Sequence, residues 1–220
     1  GVRLALGSGA SQNLQYTTPT VFGTTIALTL APDYGTSDQN DKVGTASPTD
    51  SNKRSYDATI NINPSLGTEI LAGLNVFGGA ATIESIETNL SGVQDRYEIV
   101  GGLTYDLGPV SLGAQWSGDY TGVDSAHASG TTGVYNLYKN FAFGVAFNVS
   151  DDLAVSYGEW KATKAGYTDA SVNQIPIGDR TVDIRSIQGS YTMGGASFRI
   201  ADTKVENAAW DTSRDESTQT

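Results

Sequence analysis

The sequence predicts an all-β fold, a transmembrane antiparallel up-and-down β-barrel, and three observations predict it. Apolar and polar residues alternate with a period of two in segment after segment. The connections between segments are alternately short and long. No run of about 18 apolar residues offers a spanning helix, and lipid admits no spanning structure other than a helix or a closed barrel. The alternation is plainest from Ser55 to Asn63, where Tyr56, Ala58, Ile60 and Ile62 point one way and Asp57, Thr59, Asn61 and Asn63 the other. Such alternation dilutes average hydrophobicity, which explains a mean hydropathy of only -0.25.

Punctuation by Gly, Pro, Asn and Asp divides the chain into eleven strands. They run from about Gln12 to Pro19, Thr24 to Pro32, Arg54 to Asn63, Thr68 to Thr82, Arg96 to Leu107 and Val110 to Tyr120. The rest run from Val134 to Val149, Leu153 to Thr163, Thr181 to Met193, Ala196 to Val205 and Ser217 onward. Most approach the ~9 to 11 residues that a tilted spanning strand needs. Tight turns fall at Pro19 to Gly23, Pro64 to Gly67, Asp106 to Pro109, Ser150 to Asp152 and Met193 to Gly195. Polar loops fall at about Asp33 to Lys53, Glu84 to Asp95, Thr121 to Gly133, Gly166 to Arg180 and Glu206 to Glu216. Antiparallel order then gathers all the long loops at one end, whereas a Greek-key sandwich would mix connection lengths at both.

The faces follow from the residues. Lipid requires apolar side chains, so Ile26, Leu28, Leu30, Ile70, Leu74, Val76, Ile99, Leu103, Tyr105, Leu107, Val110, Leu112, Trp116, Phe141, Phe143, Val145, Phe147 and Val149 are expected outward. Inward go Thr25, Thr29, Asn75, Arg96, Glu98, Thr104, Asp106, Ser111, Gln115, Asn136, Asn140 and Asn148. A soluble all-β binding domain would turn the same strands inside out, but the large inward residues are too few and too hydrated to fill a closed core. Tyr16, Tyr34, Tyr56, Tyr97, Tyr105, Trp116, Tyr120, Tyr135, Tyr157 and Tyr191 lie toward strand ends, as headgroup-level girdles require.

Charge narrows the function. With 24 acidic and 13 basic residues the net charge is -11, and no basic stripe exists to displace counterions from nucleic acid. There is no Cys, so no disulfide framework holds the fold. His127, the one histidine, sits in a Ser-Ala-Gly-rich loop, so neither a metal site nor a catalytic triad is expected and the chain does not read as an enzyme. The acidic loops hold Asp33, Asp38, Asp41, Asp50, Glu84, Glu87, Asp95, Asp124, Asp169, Asp179, Asp211, Asp215 and Glu216. Their oxygens suit calcium, but no spacing matches a calcium loop, so the reading is no cofactor, with loop-bound calcium as the alternative.

The phrase Gln15-Tyr-Thr-Thr-Pro-Thr-Val-Phe-Gly23 resembles the general porins of Gram-negative proteobacteria, in which a strand ending Tyr-x-x-Pro turns through a Phe-Gly segment. Gly101-Gly-Leu-Thr-Tyr-Asp-Leu-Gly108, Leu153-Ala-Val-Ser-Tyr-Gly-Glu159 and Tyr191-Thr-Met-Gly-Gly195 are similar to the same family. The resemblance implies a trimer of sixteen-stranded barrels, each narrowed by an inward-folded third loop. It further implies passive diffusion of small hydrophilic solutes and ions, an outer-membrane location and lipopolysaccharide as the surrounding lipid. Eleven strands from the Tyr-x-x-Pro phrase reach number sixteen, so residues 1–220 are expected to be part of one porin domain, lacking five strands before Gly1 and the end of the last strand. The absence of a signal-like start and of a terminal aromatic residue fits that expectation.

A pore wall works by fixed charge. The candidate pore-lining charges are Asp57, Arg96, Glu98, Asp119, Asp183, Arg185 and Arg199, with opposed acidic and basic walls giving a transverse field. One region breaks the alternation. Glu159, then Ser186 or Gln188, then Asp202 and Lys204 fall where lipid-facing residues belong, so Glu159, Gln188 and Asp202 are expected at a subunit interface, or a bulge between Ile184 and Ile187 shifts the register. The competing function is a barrel whose loops serve as an adhesion or surface-layer platform.

Overall fold

The computed structural model describes residues 7, 12–32, 52–64, 71–85, 94–122, 134–167 and 176–220. Among them lie eleven strands: β1 (Leu14–Thr17), β2 (Thr24–Ala31), β3 (Asn52–Ile62), β4 (Leu74–Ser85), β5 (Arg96–Leu107), β6 (Val110–Tyr120), β7 (Val134–Asn148), β8 (Leu153–Tyr167), β9 (Pro176–Met193), β10 (Ala196–Glu206) and β11 (Glu216–Gln219). All belong to one sheet in sequence order, each antiparallel to the next. This is the up-and-down topology that the alternating connections predict. The sheet has two ends, β1 and β11.

Turn chemistry sets the hairpins. Gly194 and Gly195 both have positive φ (54° and 87°), giving a two-residue turn whose twist matches the strands it joins. Gly108 (φ 62°) serves the β5–β6 turn in the same way. Strands β8 and β9 are longer than the sequence pattern indicates, by four residues beyond Thr163 and five before Thr181, which matters below. The expected start of β4 at Thr68, and with it Ile70, lies outside the described residues, as do Tyr34 and His127. Of the acidic loop residues, Glu84, Asp179 and Glu216 stand within strands.

Register defines two faces, since directly paired residues share a side. One carries Leu28, Ile60, Val76, Leu103, Leu112, Val145 and their neighbours two residues away; the other carries Thr29, Asn61, Asn75, Thr104, Ser111 and Asn148. The distribution of burial is the reverse of a soluble core. Trp116, Phe141 and Phe147 on the apolar face are 45%, 45% and 42% exposed, whereas Ser117 and Asp119 on the polar face are 1% exposed.

Close packing on the polar face leans on Gly102. A Cβ built there would stand 2.5 Å from Phe77 Cζ and 2.6 Å from the Ala114 carbonyl oxygen, which is backbone. Because Phe77 and Gly102 are direct cross-strand partners, the ring lies over the glycine. We expect Gly102→Ala to destabilise the sheet by roughly 1–3 kcal/mol, the usual cost of overpacking, measurable by urea titration of the folded protein. Gly101→Ala, where the nearest atom is 3.9 Å away, serves as the tolerated control.

Candidate functional site: a charged polar face

One ladder row carries the site. Read across the sheet, Thr29 pairs Asp57, Asp57 pairs Ala81, Ala81 pairs Glu98, Glu98 pairs Asp119, Asp119 pairs Tyr138, Tyr138 pairs Lys164 and Lys164 pairs Arg180. Three carboxylates therefore lie on β3 to β6 and two cations on β8 and β9, at one level of the same face.

The acidic part is built around one guanidinium. Arg96 Nε and its terminal nitrogen donate to the two Asp119 oxygens at 3.0 and 3.2 Å, a bidentate fork, and Arg96 also pairs with Glu98 two residues along the strand. The carboxylate side chains are each 1% exposed. The backbone N–H of Gly7 donates to Glu98 Oε2 at 2.8 Å, and its α-carbon lies beside Asp57. Chain that precedes β1 thus reaches the acidic wall at Gly7. One level away, Asn140 Nδ2 donates to Ser117 Oγ at 3.3 Å.

The basic part was not legible as a site. Lys164 and Arg180 fall beyond the predicted strand ends and read as loop residues, but the strands continue through both. A turn after β10, Ala208–Trp210, brings Trp210 over them: Lys164 Nζ stands 4.5 Å from the indole centroid, and Arg180 donates to the Trp210 carbonyl at 3.4 Å.

Of the seven pore-lining candidates, Asp57, Arg96, Glu98, Asp119 and Arg199 stand on the polar face. Asp183 and Arg185 do not. Asp183 pairs Lys161, itself the partner of Phe141, while Arg185 pairs Glu159, the partner of Phe143, so both side chains belong to the apolar face. The expected bulge between Ile184 and Ile187 is absent, for β9 runs in unbroken register with β8 from Thr181 to Tyr191 and with β10 from Asp183 to Met193. Parity likewise moves Gln188 and Ser186 to the polar side, through Ser156 and Gly158. Glu159, Asp202 and Lys204 stay on the apolar side.

The apolar face consequently changes character across a single pairing. The row Trp116, Phe141, Lys161, Asp183, Glu206 passes from two aromatic rings to three charges. These charges are knitted together. Lys161 Nζ lies 2.9 Å from Glu159 and 3.6 Å from Asp183; Arg185 lies 3.1 Å from Asp183, 3.7 Å from Glu206 and 4.0 Å from Glu159. The Tyr157 hydroxyl donates to Glu159 at 3.2 Å.

Comparison with known proteins gives a fold. The crystal structure of the outer membrane channel DcaP of Acinetobacter baumannii superposes with a TM-score of 0.56 at 12% identity, covering 97% of this chain and 62% of that one. The chain thus spans under two thirds of that channel's length. No family model and no curated protein matches the sequence.

Proposed function

We propose that the chain is wall of a water-filled outer-membrane channel through which small hydrophilic solutes and ions diffuse passively, its apolar face against lipid and lipopolysaccharide. The observation that carries this reading is the inverted burial: aromatic and large aliphatic side chains stand exposed on one face while Ser55, Glu98, Ser117 and Asp119 are among the covered groups of the other. In water, an exposed apolar surface of this extent would drive association. In a bilayer it is the required exterior. The shared fold with an outer-membrane channel agrees with it.

Selectivity in this reading comes from the row that runs from Asp57 to Arg180. Curving the sheet into a barrel carries the carboxylates of β3 to β6 and the cations of β8 and β9 to different sectors of the lumen, so a permeating ion crosses a transverse field. The charges of β8 to β10 on the lipid side then face a neighbouring copy, and the unit is a homotrimer. Full-length protein inserted in planar bilayers is expected to give stepwise, ohmic conductance. Folded protein that gives no steps, or that stays monodisperse without detergent, overturns the proposal.

A further inference from the structure

The connection between β10 and β11 takes a path that joining those strands does not require. In the sheet β9 flanks β10 on one side and β11 on the other, and Val205 pairs with Glu216, so a two-residue turn could close the hairpin. The chain instead spends Asn207 to Arg214 on it. These residues turn away from β11 and cross β9 toward β8. Asn207 Nδ2 donates to the Thr181 carbonyl at 2.9 Å, Arg180 donates to the Trp210 carbonyl at 3.4 Å, and the Trp210 ring centroid lies 4.5 Å from Lys164 Nζ. Because Lys164 and Arg180 belong to the polar face, the segment lies on that side of the sheet.

The polar face is apolar where the segment docks. Ala162 and Val182, two residues along from Lys164 and Arg180 and paired with each other, face the same way. With Ala208 and Trp210 they make up four of the seven buried apolar side chains among the described residues. Open water gives such a patch no cover, whereas a docked segment does. The backbone is held in place as well. Asn207, Ala209 and Trp210 have positive φ, at 56°, 58° and 60°, a region that non-glycine residues enter only when surrounding contacts over-determine them. Those contacts are Asn207 N–H to Asp215 at 3.1 Å, Ala208 N–H to the Arg214 carbonyl at 2.6 Å and Trp210 N–H to the Asn207 carbonyl at 2.8 Å. At Asp211 the Ser213 hydroxyl and N–H donate to the carboxylate at 2.7 and 3.0 Å and hold its pKa below the usual carboxylate range, so the segment carries a negative charge.

We infer that Ala208–Ser213 is a strap folded into the lumen, a constriction element that narrows the channel along β8 and β9, screens Lys164 and Arg180 from passing ions and sets Asp211 beside the path. Its exposed apex is Ala209, between the buried Ala208 and Trp210. The inference deepens the channel reading and rests on it, since the polar face is lumen only in a channel.

The test uses full-length protein in planar bilayers. Replacing Ala208–Ser213 by Asn-Gly closes the same hairpin with a two-residue turn between Asn207 and Arg214 and leaves the sheet register alone. The shortened channel is expected to show a higher single-channel conductance, and a reversal potential in a salt gradient shifted toward anions, because two cations are uncovered and one carboxylate is gone. Ala209→Cys keeps a small side chain at the apex, and its reaction with a bulky neutral maleimide, followed by mass, is expected to reduce the current while the parent treated alike keeps its own. The labelled variant decides the matter alone if the shortened chain does not fold. A shortened channel that conducts as the parent does overturns the strap, and so does complete labelling at residue 209 with an unchanged current. Absence of steps in the parent overturns the channel reading instead.

Discussion

Arg96→Met is expected to lower the stability of the folded sheet by about 3 kcal/mol, because removing one member of a buried ion pair leaves its partner charged and without compensation. Here two carboxylates lose the same guanidinium. Glu98 and Asp119 side chains are each 1% exposed, and Arg96 is the guanidinium that both share. Water cannot reach carboxylates this buried well enough to replace the donors that Arg96 supplies. The Gly7 N–H still serves Glu98, so the loss falls more heavily on the Asp119 side, where a bidentate fork disappears.

The triple variant Arg96→Met, Glu98→Gln, Asp119→Asn separates charge from shape. If uncompensated charge is the cause, most of the lost stability returns when all three groups are neutral, as replacement of buried ionic clusters elsewhere would suggest. Urea unfolding in detergent micelles reads both variants. Equal losses in the two would mean that Arg96 acts by packing its stem, and a single variant as stable as the parent would mean that the pairs contribute nothing. The same substitution changes the field. With Arg96 gone the acidic sector from Asp57 to Asp119 loses the cation that Glu98 and Asp119 share, and reversal potentials in a salt gradient are expected to move toward stronger cation preference.

Faces were legible wherever the alternation was clean. From β2 to β7 each outward assignment within the described residues, Ile26 through Phe147, agrees with the register, because a strand with one wet side has only one way to present it. The failure came in β9. Val182, Ile184, Ile187 and Tyr191 do not keep a single parity, so chemistry alone assigns Asp183 and Arg185 to the polar side. Counting back in twos from Tyr191 through Ile187 would have placed both charges on the apolar side. The rule that lipid-facing positions carry no charge points the other way.

Lys164 and Arg180 were missed for a different reason. Gly166 and the polar stretch after it look like punctuation, yet β8 pairs with β9 through Gly166 and Ile177 across a register shift. Trp210 carries no periodicity at all, since what positions it is a set of left-handed residues that no composition rule foresees. Irregular backbone is where a sequence pattern has least to say about geometry.

The largest expected effect on assembly concerns the charges of β8 to β10. Replacing Glu159, Lys161, Asp183, Arg185 and Glu206 together by Leu removes every ion pair of the network, with Asp202 and Lys204 the charges that stay on that side of β10. Charged groups on a lipid-facing strand cost about 2–4 kcal/mol near the midplane and little near the interfaces. If the five residues met lipid, the all-Leu protein would be more stable and its association state unchanged. If they meet a second copy, both signs are needed, and their loss abolishes the contact while each chain still folds and inserts. We expect the second result: monomers by sedimentation in density-matched detergent where the parent runs as a trimer. Arg185→Leu alone adds a finer discrimination, because it strips one partner from each of Asp183, Glu206 and Glu159 and leaves Lys161 to neutralise Glu159 and Asp183 but not Glu206. An interface that relies on the network must weaken in the single variant as well as in the fivefold one, since an unpaired buried carboxylate opposes association as firmly as a missing contact. A single variant that still forms trimers, beside a fivefold variant that does so too, would return these strands to the lipid and place the subunit contact elsewhere on the barrel.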